Sequence, residues 1–305
     1  MNFRTVFKLA KETVSEWDDD RAMSLAASLA FYTLLSIAPL LVVAVAVAGM
    51  VFGEDAARGE IVRQLEGVLG HQGGEAIQSI LVSAKKPTAG ITGTVVGVVV
   101  LLFGASGVFS ELQAAMDTIW NVRPKPLGIF GFVKARLLSF AMVLGVAFLL
   151  LVSLLLSAAL SAAGTFLGAN LPGGETIWQV ANFIISFAII TGLFALMFKV
   201  IPDVIVAWKD VFVGATITAF LFTIGKLLIG LYLGKASVGS PYGAAGSLVV
   251  LVVWIYYSTQ ILLLGAEATQ VYARHCGTKI TPNELAEAIE TIPTPGAPEA
   301  SNPAS

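Results

Sequence analysis

Six long apolar stretches constrain the fold of this 305-residue chain more than any other feature. Each holds about 20 residues or more, which is the length that a helix needs to cross the ~30 Å hydrocarbon of a bilayer. Only 12% of all residues are charged, and most of these lie between the stretches. Because a backbone in hydrocarbon must satisfy its own polar groups, we expect an all-α polytopic membrane protein, a bundle of six transmembrane helices. The spans cover approximately residues 22–52, 91–119, 137–164, 177–198, 211–233 and 243–272.

The distribution of basic residues predicts that both termini face the cytoplasm. Twelve Lys and Arg residues lie on the side of the N-terminus and five on the opposite side. The side richer in Lys and Arg is cytoplasmic. The first apolar stretch is too long for the core of a signal peptide, so we interpret it as a retained anchor.

Three parts follow from these spans: residues 1–21, a six-helix domain over 22–273, and a cytoplasmic tail over 274–305. In the first part, apolar side chains recur at helical spacing, which predicts an amphipathic helix on the inner leaflet near anionic lipids. A frayed polar tail is the alternative. The apolar residues concerned are Phe3, Phe7, Ala10, Val14 and Trp17.

Two segments outside the bilayer carry further helix signals. The external loop, residues 53–90, has two groups of apolar residues at helical spacing, which predict two short amphipathic helices. In the tail, Thr281, Pro282 and Glu284 fit a capping box and predict one short helix. Beyond Ile292 the composition predicts disorder.

In the first span, Pro39 removes a hydrogen bond to the Leu35 carbonyl and predicts a kink. Tyr32 and Ser36 lie beside that kink and are candidates to line a cavity. A kink that only serves helix packing explains them equally well.

The sixth span is unusually polar for a helix in lipid. Tyr256, Gln260 and Glu267 are spaced by four and seven residues, so they project from one face. We expect this face to meet Tyr32 and Ser36 around an interior cavity.

Two further sets of ionisable residues are candidates because charge within a membrane is costly. Lys226 lies in the outer half of the fifth span, where it either lines a pathway or extends its amine to the interface. The second set is a predicted charge network on the cytoplasmic side, for which a purely structural role is the alternative. Its members are Arg21, Glu111, Arg136 and Lys209.

Two segments resemble the YihY/virulence factor BrkB family of bacterial inner-membrane proteins. The first reads AASLAFYTLLSIAP over residues 26–39, and the second runs from Gly246 and Ser247 through WIYY, residues 254–257, to LGAE, residues 264–267. The resemblance implies six spans and a multi-pass protein of the bacterial inner membrane. It implies no settled activity, although the family has carried both serum-resistance and ribonuclease labels.

A nuclease is disfavoured by the residues themselves. RNA hydrolysis needs a metal cluster or positioned acid–base groups outside the bilayer, whereas His71 and His275 fall on opposite sides. Asp18, Asp19 and Asp20 are interpreted as a solvated cap before the first span. We therefore expect no enzyme activity, no cofactor, no metal and no nucleic-acid partner.

A transporter, exporter or flippase of a small or lipidic solute is the leading functional interpretation. A membrane scaffold without transport activity is the alternative, and self-association into a homo-oligomer is compatible with both.

Overall fold

The computed structural model describes residues 3–84, 107–125, 174–236, 245–278 and 280–289. The described part is mainly helical, with four short strands. The helices are α1 (Phe3–Asp19), α2 (Ala22–Phe52), α3 (Glu54–Ala84), α4 (residues 107–119), α5 (Gly174–Val200), α6 (Trp208–Ala236) and α7 (Gly246–Cys276). The strands are β1 (Val122–Pro124), β2 (Val204–Ile205), β3 (Thr281–Pro282) and β4 (Ala286–Ala288).

Four of these helices are long and apolar enough to cross a membrane, so this is a multi-pass membrane protein. They are α2, the Phe183–Val200 part of α5, the Trp208–Ile229 part of α6, and α7. The predicted span over 137–164 lies outside the described residues. Of the predicted span over 91–119, residues 107–119 are described and are helical.

Helix α7 is the central element, because α1, α2, α3 and α6 all pack against it. Its contact with α6 is especially close. A Cβ added at Gly214 of α6 would lie 1.7 Å from Thr269 Oγ1, and one added at Gly265 of α7 would lie 1.9 Å from Thr218 Oγ1. At each contact, a glycine of one helix faces a threonine of the other. The residue numbers rise along α6 while those of the contacting residues fall along α7, so the two helices are antiparallel.

The two threonines also satisfy their own hydroxyl groups. Thr218 Oγ1 donates to the Gly214 carbonyl at 2.8 Å, and Thr269 Oγ1 donates to the Gly265 carbonyl at 2.6 Å. Both threonine side chains are fully buried. A hydroxyl bonded within its own helix can be packed against a neighbouring helix without a desolvation cost, and small residues let the backbones approach. We call this arrangement the Gly–Thr contact.

The α3 run turns back on itself between Glu66 and Gly74. A Cβ added at Gly74 would lie 2.8 Å from the Cβ of Glu66, although residues eight apart in a straight helix are separated by ~12 Å. Arg58 and Leu81, from opposite ends of the run, line one cavity together with Gly49 of α2. The two predicted amphipathic segments are therefore both helical, and they form a folded-back pair within one continuous helical run.

Short strands join the loops and the tail at the end of the bundle where α7 finishes. Strand β1 pairs antiparallel with β4, and β2 pairs antiparallel with β3. We call this the clasp end, and the end that carries α3 the hairpin end. The helix predicted to begin near Thr281 is wrong: Thr281 and Pro282 form β3, because their backbone pairs with Val204 and Ile205.

Asp203 connects three chain segments at the clasp end. Its carboxylate accepts hydrogen bonds from Gln113 Nε2 at 3.0 Å and from Asn283 Nδ2 at 2.9 Å. Its own backbone N–H donates to Asp117 Oδ1 at 2.8 Å. Since Asp203 is only 7% exposed, these bonds offset the cost of burying its charge.

Helix α1 occupies the segment for which an amphipathic helix is predicted, and two of its faces have different surroundings. Val6, Phe7 and Val14 are exposed, whereas Thr13 is buried and Trp17 packs against the apolar core at the clasp end. The packed face lies along α7.

The Gly–Thr contact predicts that Gly265→Ala destabilises the protein, because the added methyl group meets Thr218. We expect a loss of about 1–3 kcal/mol, seen as a lower thermal unfolding midpoint of the purified protein in detergent. Adding Thr218→Ala should recover part of the loss.

The matched control is Gly192→Ala in α5, where an added Cβ meets no atom of the described residues within 4 Å. It should leave the midpoint unchanged or raise it slightly, because alanine favours helix. Equal midpoints for Gly265→Ala and Gly192→Ala would contradict the close approach.

Candidate functional site

The candidate site is centred on Glu267, a carboxylic acid enclosed within α7. The side chain is 0% exposed, and neither carboxylate oxygen has a hydrogen-bond partner among the described residues. A buried polar group without a partner is rare, because it gives up its bonds to water without replacement. Close packing alone does not account for a fully buried carboxyl at Glu267 that receives no hydrogen bond.

The nearest ionisable group to Glu267 is a second acid, Asp20. Asp20 follows α1 and precedes α2, and its carboxyl is close enough to Glu267 for a hydrogen bond between the two. One of its oxygens, Oδ2, is buried without a partner. Burial raises the pKa of Asp20, while the hydrogen bond that Glu267 donates when it carries a proton opposes that shift.

Ion pairs hold α1 beside this pair of acids. Arg274 Nη2 lies 2.7 Å from Glu12 Oε1 and 2.8 Å from Glu16 Oε1, and His275 Nε2 lies 2.8 Å from Glu12 Oε1. The hydrogen bond with His275 is the largest influence that lowers the pKa of Glu12. The face of α1 that carries Glu12 and Glu16 is thus the face that docks on α7, and Asp20 follows directly after the helix.

The predicted residues of the first span lie in α2. Ser36 is buried, and Tyr32 is 39% exposed. A Cβ added at Gly107 of α4 would lie 3.6 Å from Ser36 Oγ and 3.8 Å from Tyr32 Cδ1, so α4 passes directly over both side chains. Pro39 lies inside the continuous helix α2, and the kink stays a prediction.

The other two residues of the predicted polar face of α7 are partly buried. Tyr256 packs against apolar clusters at both the clasp end and the hairpin end, and Gln260 lies one turn further along. A cavity of about 460 Å³ lies elsewhere, at the hairpin end between α2 and α3. Its walls are Val42, Val45, Ala46, Gly49, Met50, Glu54, Arg58 and Leu81. The chamber expected between α2 and α7 stays a prediction.

The remaining candidates do not converge within the described residues. Lys226 is exposed on α6, beside the exposed Leu227 and Leu228. Glu111 accepts a hydrogen bond from Ser28 Oγ, and the described residues show no ion pair from Glu111 to Arg21 or Lys209, both of which are exposed. Arg136 lies outside the described residues.

Asp20 is the residue that sequence reasoning missed. Asp18 and Asp19 are exposed, as expected for a solvated cap, but Asp20 turns inward at the junction between α1 and α2. Arg21 permits that turn by adopting a left-handed backbone, with φ of 52°. Three consecutive aspartates give no sequence signal that distinguishes the third, because only the direction of α2 relative to α1 selects it.

Two facing carboxyl groups in a dry environment can bind and release a proton. Two ionised carboxylates present only acceptors and repel each other, so a hydrogen bond between them requires that one carries a proton. Such a pair titrates as a unit.

Comparison with known proteins places these features in a family. The profile of the family described as virulence factor BrkB matches residues 13–290. A UPF0761 membrane protein of Rhodospirillum centenum is 29% identical over 279 residues, covering 90% of this chain and 59% of the relative. A UPF0761 membrane protein of Verminephrobacter eiseniae is 31% identical, covering 80% of this chain and 57% of the relative.

The chain spans about three fifths of the length of these curated relatives. A UPF0761 membrane protein of Vibrio vulnificus, 28% identical, is covered over 79% of its length. No solved structure matches the chain. The match over residues 13–290 includes the last seven residues of α1, Asp20 and Glu267, and the chain belongs to the virulence factor BrkB family of membrane proteins.

Proposed function

We propose that this protein is an inner-membrane transporter, exporter or flippase for a small or lipidic solute, with six spans and both termini in the cytoplasm. The observation that carries the proposal is Glu267, a fully buried acid without a hydrogen-bond partner inside a spanning helix. Ionisable residues within membranes are expensive, and they mark substrate or ion pathways more often than packing sites. The proposal assigns no enzyme activity.

The grouping of segments at the clasp end supports the proposed orientation. The β1–β4 and β2–β3 pairs bring the segment after α4, the loop between α5 and α6, and the tail to one end. The ion pairs of Arg274 bring α1 to the same end. These are the segments that carry the larger share of Lys and Arg, which is the cytoplasmic share in an inner-membrane protein.

The exposed face of α1 supports contact with the inner leaflet. Val6, Phe7 and Val14 are exposed there, and Arg4, Lys8 and Lys11 are exposed on the same helix. Apolar side chains that enter the acyl boundary and basic side chains near anionic headgroups are typical of interfacial helices. Contact of α1 with the inner leaflet is consistent with the transport of a lipidic solute.

A scaffold without transport activity is the second candidate, and the Gly–Thr contact favours it. Where α6 and α7 interlock through buried threonines, there is no space for a solute. The two candidates therefore differ in whether the α1–α7 side of the bundle opens.

The orientation predicts which cysteines react with an impermeant thiol reagent. Cys276 is exposed at the clasp end and should react only after the inner membrane is permeabilised. In a Cys276→Ser background, Gln78→Cys should react in intact cells whose outer membrane is permeable, because Gln78 is exposed on α3. The reverse pattern would place the N-terminus outside.

Transport is tested with purified protein in liposomes of phosphatidylethanolamine and phosphatidylglycerol that contain a fluorescent phospholipid. A flippase should make inner-leaflet probe accessible to an impermeant quencher, and Glu267→Gln should slow this by about tenfold or more, equivalent to about 1.4 kcal/mol in the barrier.

The control is Glu284→Gln, which alters an exposed carboxyl at the same end of the bundle. It should leave the rate unchanged. Protein-free and protein-containing liposomes with equal rates, for phospholipid and for a panel of small solutes, would move the assignment to the scaffold.

A further inference from the structure

We propose that Asp20 and Glu267 form a proton-binding site in which the two carboxyl groups share one proton, and that loss of this proton loosens α1 from α7. The proposal deepens the function proposed above, since it identifies the proton as the ion that would drive the conformational change. Its evidence is the geometry of the two acids, which does not depend on any substrate.

Glu267 and one carboxyl oxygen of Asp20 are buried. Glu267 is 0% exposed with both oxygens unpartnered, and the Oδ2 atom of Asp20 is buried and unpartnered. No other described donor reaches these three oxygens. A proton on one carboxyl supplies the missing donor, so a single proton turns an unsatisfied pair of acceptors into a hydrogen bond.

Most of the charges around the two acids are negative. From α1, Glu16 faces both acids and Asp19 lies near Asp20, and both favour proton binding through like-charge repulsion. From α7, Arg274 opposes proton binding, but it already pairs with Glu12 and Glu16. Arg21 at the start of α2 points to solvent.

Helix α6 contributes no charge to the pair. It contacts α7 through Gly265 and Thr269, which lie about 200° around the helix from Glu267. The acids therefore face a predominantly negative surface, and binding of one proton removes the strongest repulsion.

The shared proton makes the stability of the fold depend on pH. Burial raises the pKa of Asp20 above its ordinary value. A carboxyl with a raised pKa in the folded state stabilises the fold fully below its unfolded pKa of about 4, and this stabilisation is lost as the pH rises through the folded value. Stability should thus fall toward alkaline pH.

The structural response to loss of the proton should occur at the interface between α1 and α7. Helix α1 docks on α7 through the acid pair and through the ion pairs of Glu12 and Glu16, while its apolar residues Val6, Phe7 and Val14 are exposed. Two negative charges at the Asp20–Glu267 contact would repel each other across the α1–α7 interface. Separation would open the bundle at the clasp end.

The first experiment measures thermal unfolding of the purified full chain in lipid nanodiscs between about pH 5 and about pH 9. The wild-type midpoint should fall as the pH rises, with an apparent folding constant that changes by up to about tenfold per pH unit. Glu267→Gln and Asp20→Asn should each flatten this dependence, because the amide removes the shared proton and keeps the shape.

The matched control is Asp18→Asn, an exposed aspartate two residues before Asp20. It should follow the wild-type pH dependence closely. The His275–Glu12 contact is kept in every variant, so its own response to pH is common to all of them and cancels in the comparison.

The second experiment measures the distance between α1 and α7 by pulsed electron resonance. One spin label is attached to Cys276, the single cysteine of the chain, and the other to Ser15→Cys on the exposed side of α1. The distance distribution should broaden to longer values at high pH in the wild type and stay at its low-pH form in Glu267→Gln.

Wild-type and Glu267→Gln proteins with the same pH dependence in both experiments would overturn the proposal. If one variant fails to fold, the other gives the same test. Flattened pH dependence without transport in liposomes would retain the proton site and remove the transporter assignment. Transport in liposomes together with an unchanged pH dependence would remove the proton site and retain the transporter assignment.

Discussion

The close approach of α6 and α7 fixes the position of the helix on which the other described helices depend. Hydrocarbon offers no water to buried polar groups, so the two threonines at this contact bond to carbonyls of their own helices. Glycine at 214 and 265 then lets each threonine enter the space opposite it. With α7 held in this way, one of its faces is closed by α6 and the other is left for α1, α2 and α3.

The two faces of α7 have opposite chemistry, and this difference links packing to function. The α6 face has small residues, bonded hydroxyl groups and close packing, whereas the α1 face holds a buried acid that no described donor reaches. A rigid face and an electrostatically unsatisfied face on one helix are what a membrane protein needs if one side of its bundle moves against a fixed side. The pair of short antiparallel ladders at the clasp end ties the loops together, so movement of α1 would not disrupt the rest.

Individual residues show which features the sequence predicts and which it does not. Glu267 was identified because a carboxylate in an apolar stretch is costly wherever the helix faces. Two members of the predicted cytoplasmic-side charge network, Arg21 and Lys209, are exposed, since the rotation of each helix decides which charges meet. The Gly-x-x-x-Thr spacings of α6 and α7 were present in the sequence, but small residues occur at that spacing in many helices, and only the packed structure shows that these two oppose each other.

The sequence by itself determined the membrane environment, the positions of four described spans and the amphipathic character of α1. These follow from hydrophobic length and periodicity, which are local properties of the chain. Tertiary structure decided that Asp20 meets Glu267, that Thr281 and Pro282 form a strand, and that α3 folds back between Glu66 and Gly74. Each of these depends on contacts between residues far apart in the chain or on the direction of a turn, and neither is encoded in hydropathy or local periodicity.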